Sequence, residues 1–291
     1  MRKTNVSLLV MPLSVRGIAS TGLFAQNSPA MQDVVNVTRY PLDRPDTPDY
    51  AGLISDCQNT LARDGLFNLP EFLLPESVVQ ITRSLTPLFA SEAFTHSRCH
   101  NIYFKPEIPQ LPDGHPALQK LTTVNHTLCA DQLASTALGR LYLWPPFARF
   151  LATVMRRGAL HPMADPLAGV NAMTYHDREA LNWHFDRSEF TTTLLLQKPD
   201  AGGDFEYCKD LRTQDDPNYD GVAELLSGKM QVTHMPLQAG TLNVFRGRNT
   251  AHRVTPVQGG RARMIAVFSY FDRPGVTFSE SERLGFYGRR G

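Results

Sequence analysis

The sequence predicts an α+β protein in which a helical N-terminal half supports a β-barrel C-terminal half. Three observations carry that expectation. Apolar residues recur at helical spacing through the first half, and short runs rich in β-formers follow Asn171. Glycine-rich turns separate several of those runs, at Asp200-Ala201-Gly202-Gly203, Ala239-Gly240 and Gly259-Gly260. Many short strands joined by such turns predict a sandwich or barrel.

Residues 1–30 hold three basic residues and no acidic one, with Arg16 interrupting an apolar stretch. They are expected to be a disordered or targeting-like segment, with Met31 as an alternative start, ahead of a single domain over 31–291. In "YAGLISDCQNTLARDGLF" the residues Leu53, Ile54, Cys57 and Leu61 mark a helix that stops at Gly65. "LFNLPEFL" reads as a short strand. "PESVVQITRSLTPLF" reads as a helix begun by Pro75, buried along Val78, Val79, Ile81 and Leu85 and ended by Pro87. Residues 92–131 have poor periodicity and read as loops over the scaffold. "LASTALGRLYLWPPFARFLATVMR" supplies two helical segments broken at Pro145-Pro146. Strands are expected at 171–176, 182–186, 189–197, 203–207, 230–234, 241–245, 252–257 and 263–271.

The 291 residues carry a formal net charge of +1, with 42% hydrophobic and 20% charged residues. That balance gives no electrostatic footprint for nucleic acid or an anionic membrane surface. No stretch approaches the roughly 18 consecutive apolar residues of a membrane span. Cys57, Cys99, Cys129 and Cys208 form no CxxC pair. They read as free thiols of a reducing, cytoplasmic compartment.

Chemistry concentrates in "LNWHFDRSEFTTTLLLQ", residues 181–197. On a strand, residues two apart face the same side, so His184 and Asp186 present an imidazole and a carboxylate to one point. Among the remaining histidines His252, in "NTAHRVTPV", is best placed to join them. Two histidines and one carboxylate form the facial triad of non-haem Fe(II) oxygenases, with three positions left open. A lone HxD is weak, and a single histidine is more often a cap or core residue. Arg263 strengthens the set, because an arginine entering a buried strand needs an anionic partner. Arg261 competes for that role; Arg263 is preferred because it borders the apolar run.

These residues resemble the Fe(II)/2-oxoglutarate-dependent dioxygenases, a family that includes the prolyl hydroxylases. The shared pattern is "HFD" at 184–186, "AHRV" around His252 and "RARMIAVFSYFD" from Arg261, with Tyr175 nine residues before His184. "GLFNLPEFLLPE" resembles the strand and helix that open the family's fold, and the resemblance covers roughly residues 60–275. It implies a double-stranded β-helix (jelly-roll) barrel and the cofactors Fe(II) and 2-oxoglutarate. It also implies Fe(II) ligation by His184, Asp186 and His252, and binding of the 2-oxoglutarate carboxylate by Arg263, with Tyr175 in support. "GGDFEY" and "LNVFRGRNTAHRVTPV" look closest to hydroxylase relatives of the free-amino-acid halogenases. Those halogenases replace the HxD carboxylate by a small residue, so Asp186 implies hydroxylation. The expected partners are dioxygen and a small-molecule substrate, an amino acid or related metabolite. Two alternatives stay open: a hydroxylase of a protein or peptide, and a non-catalytic metal or 2-oxoglutarate binder. "HNIYF" (100–104) and "VNHTL" (124–128) are expected to cover the substrate side, and "FSESERLGFYGRR" to form either a lid with Tyr287 inside or a packed tail.

Overall fold

The computed structural model describes residues 30–291; the expected N-terminal segment, up to residue 29, lies outside the described residues. Helix α1 (Pro48–Asp64) starts with a proline in its first turn and the Thr47 side chain accepting from the Tyr50 N–H. It stops where Gly65 adopts a left-handed φ of 79°. Strand β1 (Leu66–Leu69) and helix α2 (Pro75–Glu92) follow. Pro87 lies inside α2 instead of ending it. Both Pro87 and Arg83, whose carbonyl loses its helical donor, are exposed, so water can replace the missing bond. The buried residues of α2 are Ser77, Ile81 and Leu85, while Val79 is 57% exposed.

The region expected as loops contains two strands, β2 (Phe94–His100) and β3 (Leu121–Leu128), paired along seven positions. Three helices come next: α3 (Ala130–Leu133), α4 (Ala137–Leu143) and α5 (Pro145–Val154). The remaining chain forms β4 (His161–Pro162), β5 (Val170–Tyr175), β6 (Leu181–His184), β7 (Thr191–Gln197), β8 (Ala201–Gly202) and β9 (Phe205–Cys208). Helix α6 (Tyr219–Leu226) leads to β10 (Thr233–Met235), β11 (Leu242–Phe245), β12 (Ala251–Val254), β13 (Val257–Gln258), β14 (Arg263–Phe268) and β15 (Tyr270–Phe271). Helix α7 (Glu280–Tyr287) closes the chain.

A seven-stranded antiparallel sheet runs β1-β11-β7-β14-β5-β3-β2, and a four-stranded one runs β10-β9-β12-β6. Alternation divides the large sheet. Leu194, Leu196, Val244, Met264 and Ala266 join Ile54, Leu61, Phe147 and Phe150 of the helices in the main core. The intervening residues, among them Thr193, Asn243, Ile265 and Tyr175, line a cavity instead.

The sequence expectation of a closed jelly-roll barrel is not met. The fold is α+β with N-terminal helices, but no strand ladder joins the two sheets among the described residues. At the β3–β6 corner the bonds come from side chains: Asn182 donates through its side-chain amide to the Thr122 carbonyl at 2.8 Å, and Thr123 Oγ1 accepts from the Asn182 N–H at 3.2 Å. Beyond that corner the large sheet ends on β2, which pairs with β3 and not with β6.

Candidate active site

The antiparallel pairing of β12 with β6 sets His252 directly opposite His184. Their ring centroids lie 4.1 Å apart. His184 Nδ1 meets the Asn182 carbonyl at 2.8 Å and His252 Nδ1 meets the Thr250 carbonyl at 3.0 Å. A carbonyl only accepts, so each Nδ1 carries the proton and each Nε2 keeps its lone pair for a metal. Asp186 Oδ1 lies 3.4 Å from His184 Nε2, and Oδ2 lies 3.4 Å from His252 Nε2. One ligand atom from each residue falls within 4.8 Å of the others. Burial, then the neighbouring His252, lowers the pKa of His184. Burial alone would raise that of Asp186, but His252 and His184 hold it well below the usual carboxylate range. The set is a buried facial triad of two imidazole nitrogens and a carboxylate oxygen, and it suits Fe(II).

Asp186 follows the end of β6 and is held by groups outside the triad. Thr191 Oγ1 donates to Oδ2 at 2.5 Å, and the Asp186 N–H donates to the Gly247 carbonyl at 2.9 Å. A Cβ built on Gly247 would collide with the Asp186 carboxylate, so the close approach requires glycine. Neither Thr191 nor Gly247 stood out in the sequence. Strand phase alone put Thr191 beside Thr193 on one face, with nothing to indicate its partner.

Arg263 and Tyr175 face each other across the β14–β5 pairing. Arg263 is 2% exposed, and its Nε donates to the Gly203 carbonyl at 3.0 Å. Its Nη1 is buried with no partner. Burial brings its pKa down to about 10, against the pull of Tyr175 and Asp204. A buried guanidinium with an unused donor edge on the cavity wall fits a carboxylate such as the distal one of 2-oxoglutarate. Burial raises the Tyr175 hydroxyl to about 12, so it stays a donor. Arg261, the competitor, sits exposed on the turn before β14, its N–H bonded to Asp200 Oδ2 at 3.0 Å.

The triad, Arg263 and Tyr175 open on one cavity of about 320 Å³ between the sheets. Helix α7 covers part of it through Phe286 and Tyr287, and the Tyr287 hydroxyl donates to Asn171 Oδ1 at 3.1 Å. Asn243 lies buried on the cavity wall, at 1% exposure, with both amide atoms unpartnered. Arg187 and Arg248 are exposed. Trp183 packs into a separate cluster with Ile102 and Val222 and does not line the cavity. His176 and His234, the other histidines of the strand region, lie outside the triad.

The triad and the cavity that joins it to Arg263 are those of the Fe(II)/2-oxoglutarate-dependent dioxygenase superfamily, an oxidoreductase class. The model of a family described as "HalD: Halogenase D" matches residues 54–279, and the chain belongs to that family. The fold is similar to the α-ketoglutarate-dependent epimerase SnoN of nogalamycin biosynthesis, at 14% identity and a TM-score of 0.52, over 76% of this chain and 83% of that one. It is also similar to the carbocyclase SnoK of the same biosynthesis, at 14% identity and TM-score 0.51, over 81% and 92% of the two chains. AviO1 from Streptomyces viridochromogenes Tue57 matches at 15% identity and TM-score 0.51, over 76% and 96%. At these identities the likeness is one of fold. No curated protein matches the sequence. Among the described residues no helix is long and apolar enough to cross a membrane.

Proposed function

We propose that the protein hydroxylates an unactivated C–H bond of a small amino acid or related metabolite. In this reading His184, Asp186 and His252 hold Fe(II), and Arg263 anchors 2-oxoglutarate with Tyr175 beside it. The observation that carries it is the intact Asp186 carboxylate, supported by Thr191 and given room by Gly247. A carboxylate there takes the coordination position a halide would need.

Bound together, Fe(II), 2-oxoglutarate and dioxygen supply the oxidising power for C–H hydroxylation and leave succinate and CO2. The chain supplies geometry. The Nδ1 bonds of His184 and His252 fix which nitrogen faces the metal and hold each ring's plane. Thr191 engages one Asp186 oxygen, which would favour metal ligation through the other. Arg263 binds a carboxylate in a two-pronged contact and so orients the cosubstrate. Apolar walls at Met173, Ile265, Val267 and Phe286 exclude water and hold a C–H bond in place.

A cavity of about 320 Å³, partly roofed by α7, suits a small metabolite better than a protein or peptide segment, which needs an open groove. The four cysteines are all free, in keeping with a reducing cytoplasm. The test measures succinate release across panels of free amino acids and peptides against a no-substrate control, with the product mass read alongside. A gain of one oxygen atom on a free amino acid or close relative is expected. An unchanged mass with an inverted centre, or loss of two hydrogens, would replace hydroxylation by another oxidation. Turnover of peptides alone would move the substrate class.

A further inference from the structure

The cavity has an uneven supply of charge. Of the residues that line it, Asp186 is the only carboxylate, whereas Arg98, Arg187 and Arg263 all contribute guanidinium groups. Arg187 is offset at the rim by Glu282, 2.8 Å away. In the loaded centre a divalent metal and Arg263 balance Asp186 and the dianionic cosubstrate. Arg98 is left over. It sits half-buried on β2 with no carboxylate partner among the described residues, its guanidinium 4.9 Å from the centre of the Phe104 ring. His96 and His100 add no second charge: burial, before any other influence, lowers both pKa values. Both His100 nitrogens are also engaged, at 3.0 Å each, by the Asn101 carbonyl and Thr123 Oγ1.

The platform beneath Arg98 is built. Phe104 has a φ of 54°, a left-handed conformation that is costly for a bulky residue. Asn101 imposes it: its Oδ1 accepts from the N–H groups of Tyr103 at 3.2 Å and Lys105 at 3.1 Å, and its Nδ2 donates to the Lys105 carbonyl at 2.7 Å. The ring thereby stacks on His100 at 4.2 Å and lies near both Arg98 and the metal ligand His184, whose ring centroid is 5.9 Å from it.

We propose that the substrate carries a carboxylate seated on Arg98 above Phe104, and that its side chain is uncharged. A side-chain ammonium or guanidinium finds no carboxylate in the cavity and loses its hydration there without compensation. An α-ammonium differs, because it stays next to its own carboxylate. The cavity therefore selects acids with apolar bodies and rejects basic amino acids. This deepens the reading above and rests on it for placing the substrate in this cavity.

The test is anaerobic binding to the Fe(II)- and 2-oxoglutarate-loaded enzyme of four probes: L-norleucine, hexanoate, L-norleucinamide and L-lysine. Norleucine and hexanoate should bind at least about tenfold more tightly than norleucinamide and lysine. Arg98→Gln should weaken the two acids by about tenfold or more and leave the amide unchanged, and Arg98→Lys should restore part of the preference. Lysine or the amide binding as tightly as norleucine would overturn the inference, as would acid binding indifferent to Arg98→Gln. Acids that bind as expected but gain no oxygen under air would leave the inference standing and remove the hydroxylase reading. Failure of all four probes to bind would remove both.

Discussion

At Asp186 one carboxylate meets two imidazoles, the Thr191 hydroxyl and the bare backbone of Gly247. His184→Ala or His252→Ala should therefore abolish Fe(II) binding in an anaerobic titration and with it turnover, while circular dichroism stays near wild type. Near-normal activity in His252→Ala would break the triad. His234 and His126 are not free to replace His252, since His234 pairs with Glu206 and His126 with Glu179. Thr191→Val should lower Fe(II) affinity about tenfold or more, with Thr191→Ser restoring it, because groups that orient a ligand are worth that much. Unchanged affinity in the valine variant would reduce Thr191 to a packing residue. Arg263→Ala removes a charge-assisted contact that costs about 2–5 kcal/mol to lose in a buried site. The KM for 2-oxoglutarate should rise at least about thirtyfold, far more than the KM for substrate, while Arg261→Ala changes neither. The clustering of His184, Asp186 and His252 and the burial of Arg263 were readable from spacing and from the apolar run that Arg263 borders. Thr191, Gly247 and Arg98 were not, since each acts through a contact that only the folded chain creates.

Helix α7 belongs to the site only because it is tied down. Asp165 accepts from the N–H groups of Leu167 at 2.9 Å, Ala168 at 3.1 Å and Phe278 at 2.9 Å, and from Arg283 Nε at 2.8 Å. Burial alone would raise its pKa, but Arg283 and these N–H groups lower it below the ordinary value. The stabilisation is thus fully present above about pH 4, the unfolded carboxyl range, and is lost as pH falls through the lower folded value. Asp165→Asn should cost about 2 kcal/mol and expose the C-terminal segment to protease at neutral pH. Equal protease resistance in the variant would show that α7 is held elsewhere. Among the two forms the sequence left open for this tail, the helix covers the cavity with Tyr287 inside. Strands β2 and β3 escaped the sequence because β2 alternates exposed with half-buried residues and puts His96, Arg98 and His100 on its cavity side, where a core strand would carry apolar groups. The strand runs that form β5, β7, β11 and β14 were legible because their other face buries Leu, Val, Met and Ala against the helices.

Across the whole molecule two open sheets hold the cavity between them, one supplying His184 and His252 and the other Tyr175, Thr191 and Arg263. Strand composition predicted eight runs from Asn171 onward, where the structure has the eleven strands β5 to β15, and closure depends on hydrogen bonds between sheet ends. At one corner the side chains of Asn182 and Thr123 take part in the bonds that stand where a ladder would have been. Sequence patterns report which face of a strand is buried and carry no such information about its edges. In the proposed reading the chemistry turns on Asp186, whose carboxylate would occupy the place a halide needs. Asp186→Gly should lose most oxygenation. The direct measurement is the product mass for the wild-type enzyme, supplied with Fe(II), 2-oxoglutarate, dioxygen and an accepted small acid in chloride buffer. The account expects one added oxygen atom and no chlorine; a chlorinated product from the wild-type enzyme would contradict it.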